Sequence, residues 1–244
     1  FTRLPVVQTD SKGAYDYYFF TPYDYDRTSD KETIYGVAGI SVWNYYGLPT
    51  NSRQSSAGIS PTQELIDSYE TADGHPILKK TGDGKYYKDD SHLQPNFNEA
   101  AGYDDQNPYE NRDPRFYQSV YFNGAQRHWD DPDELVKIYD NAPRDSSCAI
   151  DKTTIRNTRT GYYMRKYDKH TSSYETPVTG YVRRFRLAEL YLNFAEAANE
   201  AYGPTQQVEG YSGQASMSAV EAVNAVRTRA DMPNVRDEYT TDRD

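Results

Sequence analysis

The chain has 244 residues, a formal net charge of −10 at pH 7 and a mean hydropathy of −0.97. That length suits one large domain or two small ones, and the acidic balance opposes nucleic-acid binding, which wants a basic stripe. No run of about 18 apolar residues, the length a membrane-crossing helix requires, occurs, and the single cysteine, Cys148, allows no intrachain disulfide.

In chain order, residues 1–30 are aromatic and loop-like. Tyr15, Tyr17 and Phe19 alternate with Asp16 and Tyr18 in a weak strand pattern that Pro22 ends. Lys31–Tyr46 is rich in Ile, Val, Tyr and Gly and reads as extended, and Gly47–Gly58 as a polar loop. Ser60 is placed to cap a short helix with Pro61 at its first position and Gln63 three residues on, buried along Leu65, Ile66 and Tyr69. Asp73-Gly74 and Asp83-Gly84 are turn signals, and the chain to Asn111 reads as coil. Phe116–Phe122 follows Asp113-Pro114-Arg115 and is expected to pack as a strand; Trp129–Glu134 is acidic and turn-like; Tyr162–Tyr167 alternates as a short strand.

Two amphipathic helices follow. Leu187, Leu190, Tyr191, Phe194, Ala195 and Ala198 recur at the 3.6-residue period, and Gly203-Pro204 stops the first helix. Ser218 and Glu221 form a capping box for the second, which Ala219, Val223, Val226 and Ala230 line before Pro233. Alanines 195, 197 and 198 on one helix, and 222 and 225 on the other, permit the close approach found in stacked helical hairpins. The pattern predicts a mainly α fold, a tetratricopeptide-like helical scaffold with long loop-rich, partly β insertions at 1–59 and 75–180 and a helical hairpin over 183–232.

Catalytic signatures are weak. His75, His92, His128 and His170 have no zinc-ligand spacing and read as surface histidines. No phosphate loop occurs, and Gly58-Ile59-Ser60 lacks the closing glycine of a nucleophile elbow. Carboxylates are plentiful, but nothing selects one glycosidase-like pair. Two acidic strings, Asp24-Asp26-Thr28-Asp30-Glu32 and Asp104-Asp105-Asn107-Glu110-Asn111, hold oxygens a calcium ion uses, but the first lacks the glycine and the twelfth-position glutamate of a calcium loop. Solvated loop carboxylates are the expectation, with no cofactor required.

Binding chemistry is better represented. The chain carries 25 tyrosines against 8 phenylalanines, and tyrosine buries a ring while keeping its hydroxyl wet. Sugars are held by rings against their C–H faces and by amides and guanidinium at their rims. Trp43, Asn44, Tyr45 and Tyr46, followed by Asn51, Arg53 and Gln54, meet that requirement best. Trp129, beside Arg127 and His128, comes second, and Tyr23 with Tyr25 third; a tryptophan is more often a core anchor than a binding platform.

The string RLAELYLNFAEAANEA…AVEAVNAVRTRADMP resembles the SusD/RagB family of nutrient-binding outer-membrane lipoproteins. Three segments resemble that family in the family's order: SPTQELIDSYETADG (Ser60–Gly74), NRDPRFYQSVYFNG (Asn111–Gly124) and TRTGYYMRKY (Thr158–Tyr167). KETIYGVAGIS (Lys31–Ser41) matches loosely. The resemblance implies a cell-surface, lipid-anchored protein that is not an enzyme and that passes oligosaccharide to a TonB-dependent, SusC-like outer-membrane transporter. A peptide-binding member of the same family, a secreted glycan-cleaving enzyme and a helical scaffold for a protein partner are the alternatives. It also implies a chain about twice this length, of which these residues form the middle-to-late part of one domain. The family's ligand contacts carry no motif, so none transfers, and the four matching segments read as scaffold.

Overall fold

The structure, a computed structural model, describes residues 32–40, 59–128, 131–139, 158–166 and 180–241. In order come strand β1 (Thr33–Ile40), helices α1 (Gln63–Asp67) and α2 (Pro114–Ser119), and strands β2 (Val120–Tyr121), β3 (Gln126–His128), β4 (Asp131–Leu135), β5 (Tyr163–Met164) and β6 (Gly180–Arg186). Helices α3 (Leu187–Tyr202) and α4 (Ala219–Arg229) complete the series. Helix and strand are therefore mixed among the described residues, where the sequence pattern predicts a mainly helical fold. The strands form two-stranded antiparallel ladders, β1 with β6, β2 with β5 and β3 with β4.

The hairpin α3–α4 is built as its pattern predicts, with two adjustments. Arg183–Arg186 belong to β6, because Arg186 and Arg183 pair with Thr33 and Gly36 across the ladder. Helix α3 begins only at Leu187, whose N–H donates to the Glu32 carbonyl at 2.8 Å. The buried contact is smaller than the apolar stripe: Ala195, Ala198, Ala219 and Ala222 are buried together, flanked by Tyr191, Phe194 and Val223, while Leu190 and Ala197 stay exposed. Gly203 ends α3 at φ +90°, a conformation costly for a side-chain-bearing residue. The Ser218 hydroxyl accepts from Glu221 N–H at 3.2 Å, and the Glu221 carboxylate accepts from Ser218 N–H at 2.7 Å, closing the capping box.

Four local expectations are corrected. The helix cap is Thr62, whose hydroxyl accepts from Leu65 N–H at 3.3 Å; Ser60 lies two residues too early and instead faces the Thr158 hydroxyl. Leu65 is exposed and Ile66 carries that helix's burial. The stretch after Asp113-Pro114 opens as helix α2, because Asp113 accepts from Arg115 N–H and Pro114 supplies the first-turn φ; only Val120–Tyr121 continue as strand. Asp131–Glu134, from the stretch expected as turn-like, belong to the strand β4.

Between Gly74 and Asn111 the chain is irregular, as expected, held by bridges Leu78–Phe97 and Tyr87–Pro95 and by a single turn of 3₁₀ helix at Glu99–Ala101. Its own interior is Ile77, Leu78 and Tyr87, with Phe97 and Tyr103 against them. Beside it, Ile66, Phe116, Val120 and Tyr162 are buried with Tyr69, Tyr109, Tyr117 and Phe122 against them, and Tyr121, Val136, Ile138 and Tyr163 form an adjoining cluster.

Candidate functional site

The segments singled out by their sequences are one connected frame. Asp113 N–H donates to the Glu70 carbonyl at 2.9 Å and Ala72 N–H to the Asn111 carbonyl at 3.0 Å. Val120 and Tyr121 pair with Met164 and Tyr163. Arg227, at the end of α4, grips the Glu70 carboxylate with both Nη atoms, at 2.8 and 2.7 Å, and donates from Nε to the Pro233 carbonyl at 2.6 Å. Arg229 Nη2 reaches Glu32 at 2.5 Å, and Arg186 reaches the same carboxylate at 3.3 Å.

Two buried ionic groups in this frame have structural partners. Arg112 is 1% exposed and faces no carboxylate among the described residues; its guanidinium donates to the carbonyls of Ile66 (2.6 Å), Pro108 (2.8 Å) and Tyr69 (3.4 Å) and lies 4.5 Å from the Phe116 ring centre. Asp113 is fully buried and receives Arg115 Nε and Nη2 at 2.9 and 2.5 Å. These side chains hold backbone in place and are turned away from solvent, as a scaffold requires.

A cleft of about 560 Å³ opens where the Glu70–Lys80 turn, the Tyr86–Asn98 stretch, the end of α4 and residues 233–239 converge. The Glu70–Arg227 pair and Gly74 lie at its lining, with Pro76 and Leu78. Gly74 has φ +86°, and a Cβ there would sit 3.0 Å from Arg227 Nη2 and 3.2 Å from Pro233 Cγ, so glycine serves both the turn and the approach. Tyr86 and Tyr239, 47% and 38% exposed, present rings to the cleft, and Lys79, Lys80, Asn98 and Arg236 supply polar groups. The Asn98 amide is engaged: Nδ2 donates to the Pro76 carbonyl at 3.0 Å and to Tyr239 Oη at 3.3 Å, and Oδ1 accepts from Ala100 N–H. Tyr239 Oη also shares a hydrogen bond with His75 Nδ1 at 3.1 Å.

His75, expected at the surface, is only 6% exposed, because Tyr239 covers its ring edge-on. Asp73 and Glu238 approach its two ring nitrogens at 3.7 and 3.4 Å. The Thr71 hydroxyl, donating to Asp73 at 2.5 Å, holds that carboxyl below its ordinary range, with His75 and Arg236 adding to the effect. His92 is exposed and stacks on Tyr87. A second hollow, of about 230 Å³, lies along α3 beside Leu190, Phe194, Val208 and Met217 and is largely apolar.

Trp43, Asn44, Tyr45, Tyr46, Arg53, Gln54 and Trp129 lie outside the described residues, as do Cys148, His170 and the acidic string from Asp24 to Asp30. In the second string, the Asp104 carboxylate is engaged internally by Asn107 Nδ2 at 2.6 Å and Gln106 N–H at 2.9 Å, which hold it below the usual range. Among the described residues no group of three His, Cys, Asp or Glu side chains converges for a metal ion. Sequence reasoning missed the cleft. Its one local signal is the cluster of lysines and tyrosines over residues 79–88; the closure by residues 235–239 is tertiary.

The fold and the frame agree with what comparison with known proteins finds. A SusD-like protein from Bacteroides fragilis superposes with a TM-score of 0.60 at 23% identity, covering 96% of this chain and 41% of that one. A SusD-like carbohydrate-binding protein from the same organism superposes with a TM-score of 0.54 at 26% identity, covering 86% of this chain and 36% of that one. The chain thus spans well under half the length of either. No curated protein matches it. The SusD family matches residues 16–244, nearly the whole sequence, and the chain belongs to that family.

Proposed function

We propose that this chain is part of a cell-surface binding protein that captures oligosaccharide nutrients and delivers them to a TonB-dependent, SusC-like outer-membrane transporter, held at the outer membrane by a lipid anchor. One observation carries the reading: membership of the SusD family, with a solved relative described as carbohydrate-binding at 26% identity. The cleft supports it with two half-exposed tyrosine rings, a ring-and-rim chemistry that suits sugars. Binding without catalysis is part of the proposal, as is the tetratricopeptide-like character of the α3–α4 hairpin. Trp43, Asn44, Tyr45, Tyr46, Arg53, Gln54 and Trp129 carry the same chemistry in sequence and are proposed as further ligand contacts.

Isothermal titration of the full chain against a polysaccharide panel and a peptide pool tests this. Binding to a glycan, weakened by Tyr86→Ala or by Trp43→Ala and Trp129→Ala, is the expected result. Heat only from the peptide pool would move the protein to peptide uptake, and reducing ends released from the panel would make it a hydrolase. Co-purification of a β-barrel transporter tests the delivery step separately.

A further inference from the structure

The charge of the cleft narrows the substrate class, an inference that rests on the carbohydrate-binding reading. The whole chain carries −10, yet the cleft lining holds four cationic side chains, Lys79, Lys80, Arg227 and Arg236, against a single carboxylate, Glu70. Two of the four are answered. Arg227 is taken by Glu70 in the two-pronged contact described above, and Arg236 Nε by Glu238 at 3.1 Å. Lys79 and Lys80 are consecutive and exposed, and among the described residues neither has a carboxylate partner. The contrast with Lys85 is instructive: it lies on the same irregular stretch, yet Asp90 meets it at 2.7 Å. The Tyr86 hydroxyl likewise has no protein partner among the described residues, and the residue is 47% exposed.

We infer that the cleft selects acidic oligosaccharides, with sugar carboxylate or sulfate groups on Lys79 and Lys80 and a sugar C–H face on Tyr86. A lysine ammonium is a compact point charge whose three N–H groups donate to either kind of oxyanion. A single exposed ion pair is weak and screened by salt. Repeated charges along one polymer engage both lysines at once and convert a small preference into a large one. An acidic peptide satisfies the lysines but offers no regular C–H face to the ring.

The test is titration of the full chain with two matched pairs, polygalacturonate against its methyl ester and dextran sulfate against dextran, at low and at physiological ionic strength. At least one acidic member is expected to bind about tenfold more tightly than its neutral partner, and more so at low salt. The responding pair identifies carboxylate or sulfate. In the Lys79→Gln/Lys80→Gln double variant the acidic member falls to the level of the neutral one, while thermal unfolding is unchanged because both side chains are solvated. Equal binding of acidic and neutral members, or a preference that survives the double substitution, overturns the inference and leaves the carbohydrate reading standing. Binding of poly-glutamate with none of the four glycans overturns both, and silence from all of them overturns the acidic preference.

Discussion

Helices α3 and α4 meet through alanine methyls, Ala195 and Ala198 against Ala219 and Ala222, and beyond their first turns their backbone N–H groups pair within each helix. Residues 59–128, by contrast, contain little regular structure and are organised by side chains that bond backbone. Arg112 collects three carbonyls; the Thr71 hydroxyl accepts from His75 N–H at 3.2 Å, and the Thr81 hydroxyl accepts from Lys85 N–H at 3.1 Å. Beyond it, Thr158 repeats the device, accepting from Tyr162 N–H at 3.2 Å and donating to the Tyr162 carbonyl at 2.6 Å. The difference shows how a chain of low hydropathy buries a core. Where backbone pairs with itself, small apolar residues suffice; where it does not, each buried carbonyl needs a named donor. The hairpin should therefore be sensitive to volume and the irregular region to loss of single polar groups.

The sharpest way to break that contrast is Arg112→Met. It keeps the bulk and removes the donors to three buried carbonyls and the contact with Phe116, so urea unfolding should register a loss of about 3–5 kcal/mol. A cost below that of any hairpin variant would contradict the division. Next, Glu70→Ala strands the buried Arg227, whose side chain is 7% exposed, and should cost about 2–4 kcal/mol. Ala222→Leu forces volume into a fully buried helix contact and should cost about 1–3 kcal/mol, whereas Thr at the exposed Ala197 should pass almost unnoticed. Removing the capping hydroxyl with Ser218→Ala should cost about 1 kcal/mol.

The last expectation concerns pH. Burial, with Arg186 and Arg115 nearby, pushes the Lys166 ammonium down to about 8 from its ordinary 10.5. The unfolded chain then binds more protons than the folded one between those values, so stability rises as pH climbs through that window. Lys166→Met should flatten the rise when unfolding free energies at pH 7.5, 8.5 and 9.5 are compared with those of the parent. A slope that survives the substitution assigns it to other groups.

The hairpin was legible because helix burial is periodic in sequence and its caps are local: Gly203 and the Ser218–Glu221 box sit where their residue types place them. The irregular region was legible only in its turns. Whether Phe116 lies on a strand or a helix depended on Asp113 capping a short helix, a choice that the aromatic alternation of Phe116–Phe122 conceals. Histidine 75 gave no sign of burial, since the residue that covers it, Tyr239, is 164 positions away. The cleft escaped for the same reason, its lysines and rings being ordinary polar residues until residues 235–239 fold across them.

The two arginines that close α4 also set an order of events. Arg227 and the carboxylate it grips are 157 residues apart in sequence. At ordinary synthesis rates that separation corresponds to about 8–30 s on the ribosome. Throughout that interval Glu70 is a solvated anion with no arginine to neutralise it, and the turn beneath it lacks its lock. The stretch around Arg227, translated well after Glu70, is thus the keystone, and a nascent chain truncated before Arg227 leaves the Glu70 turn unclasped.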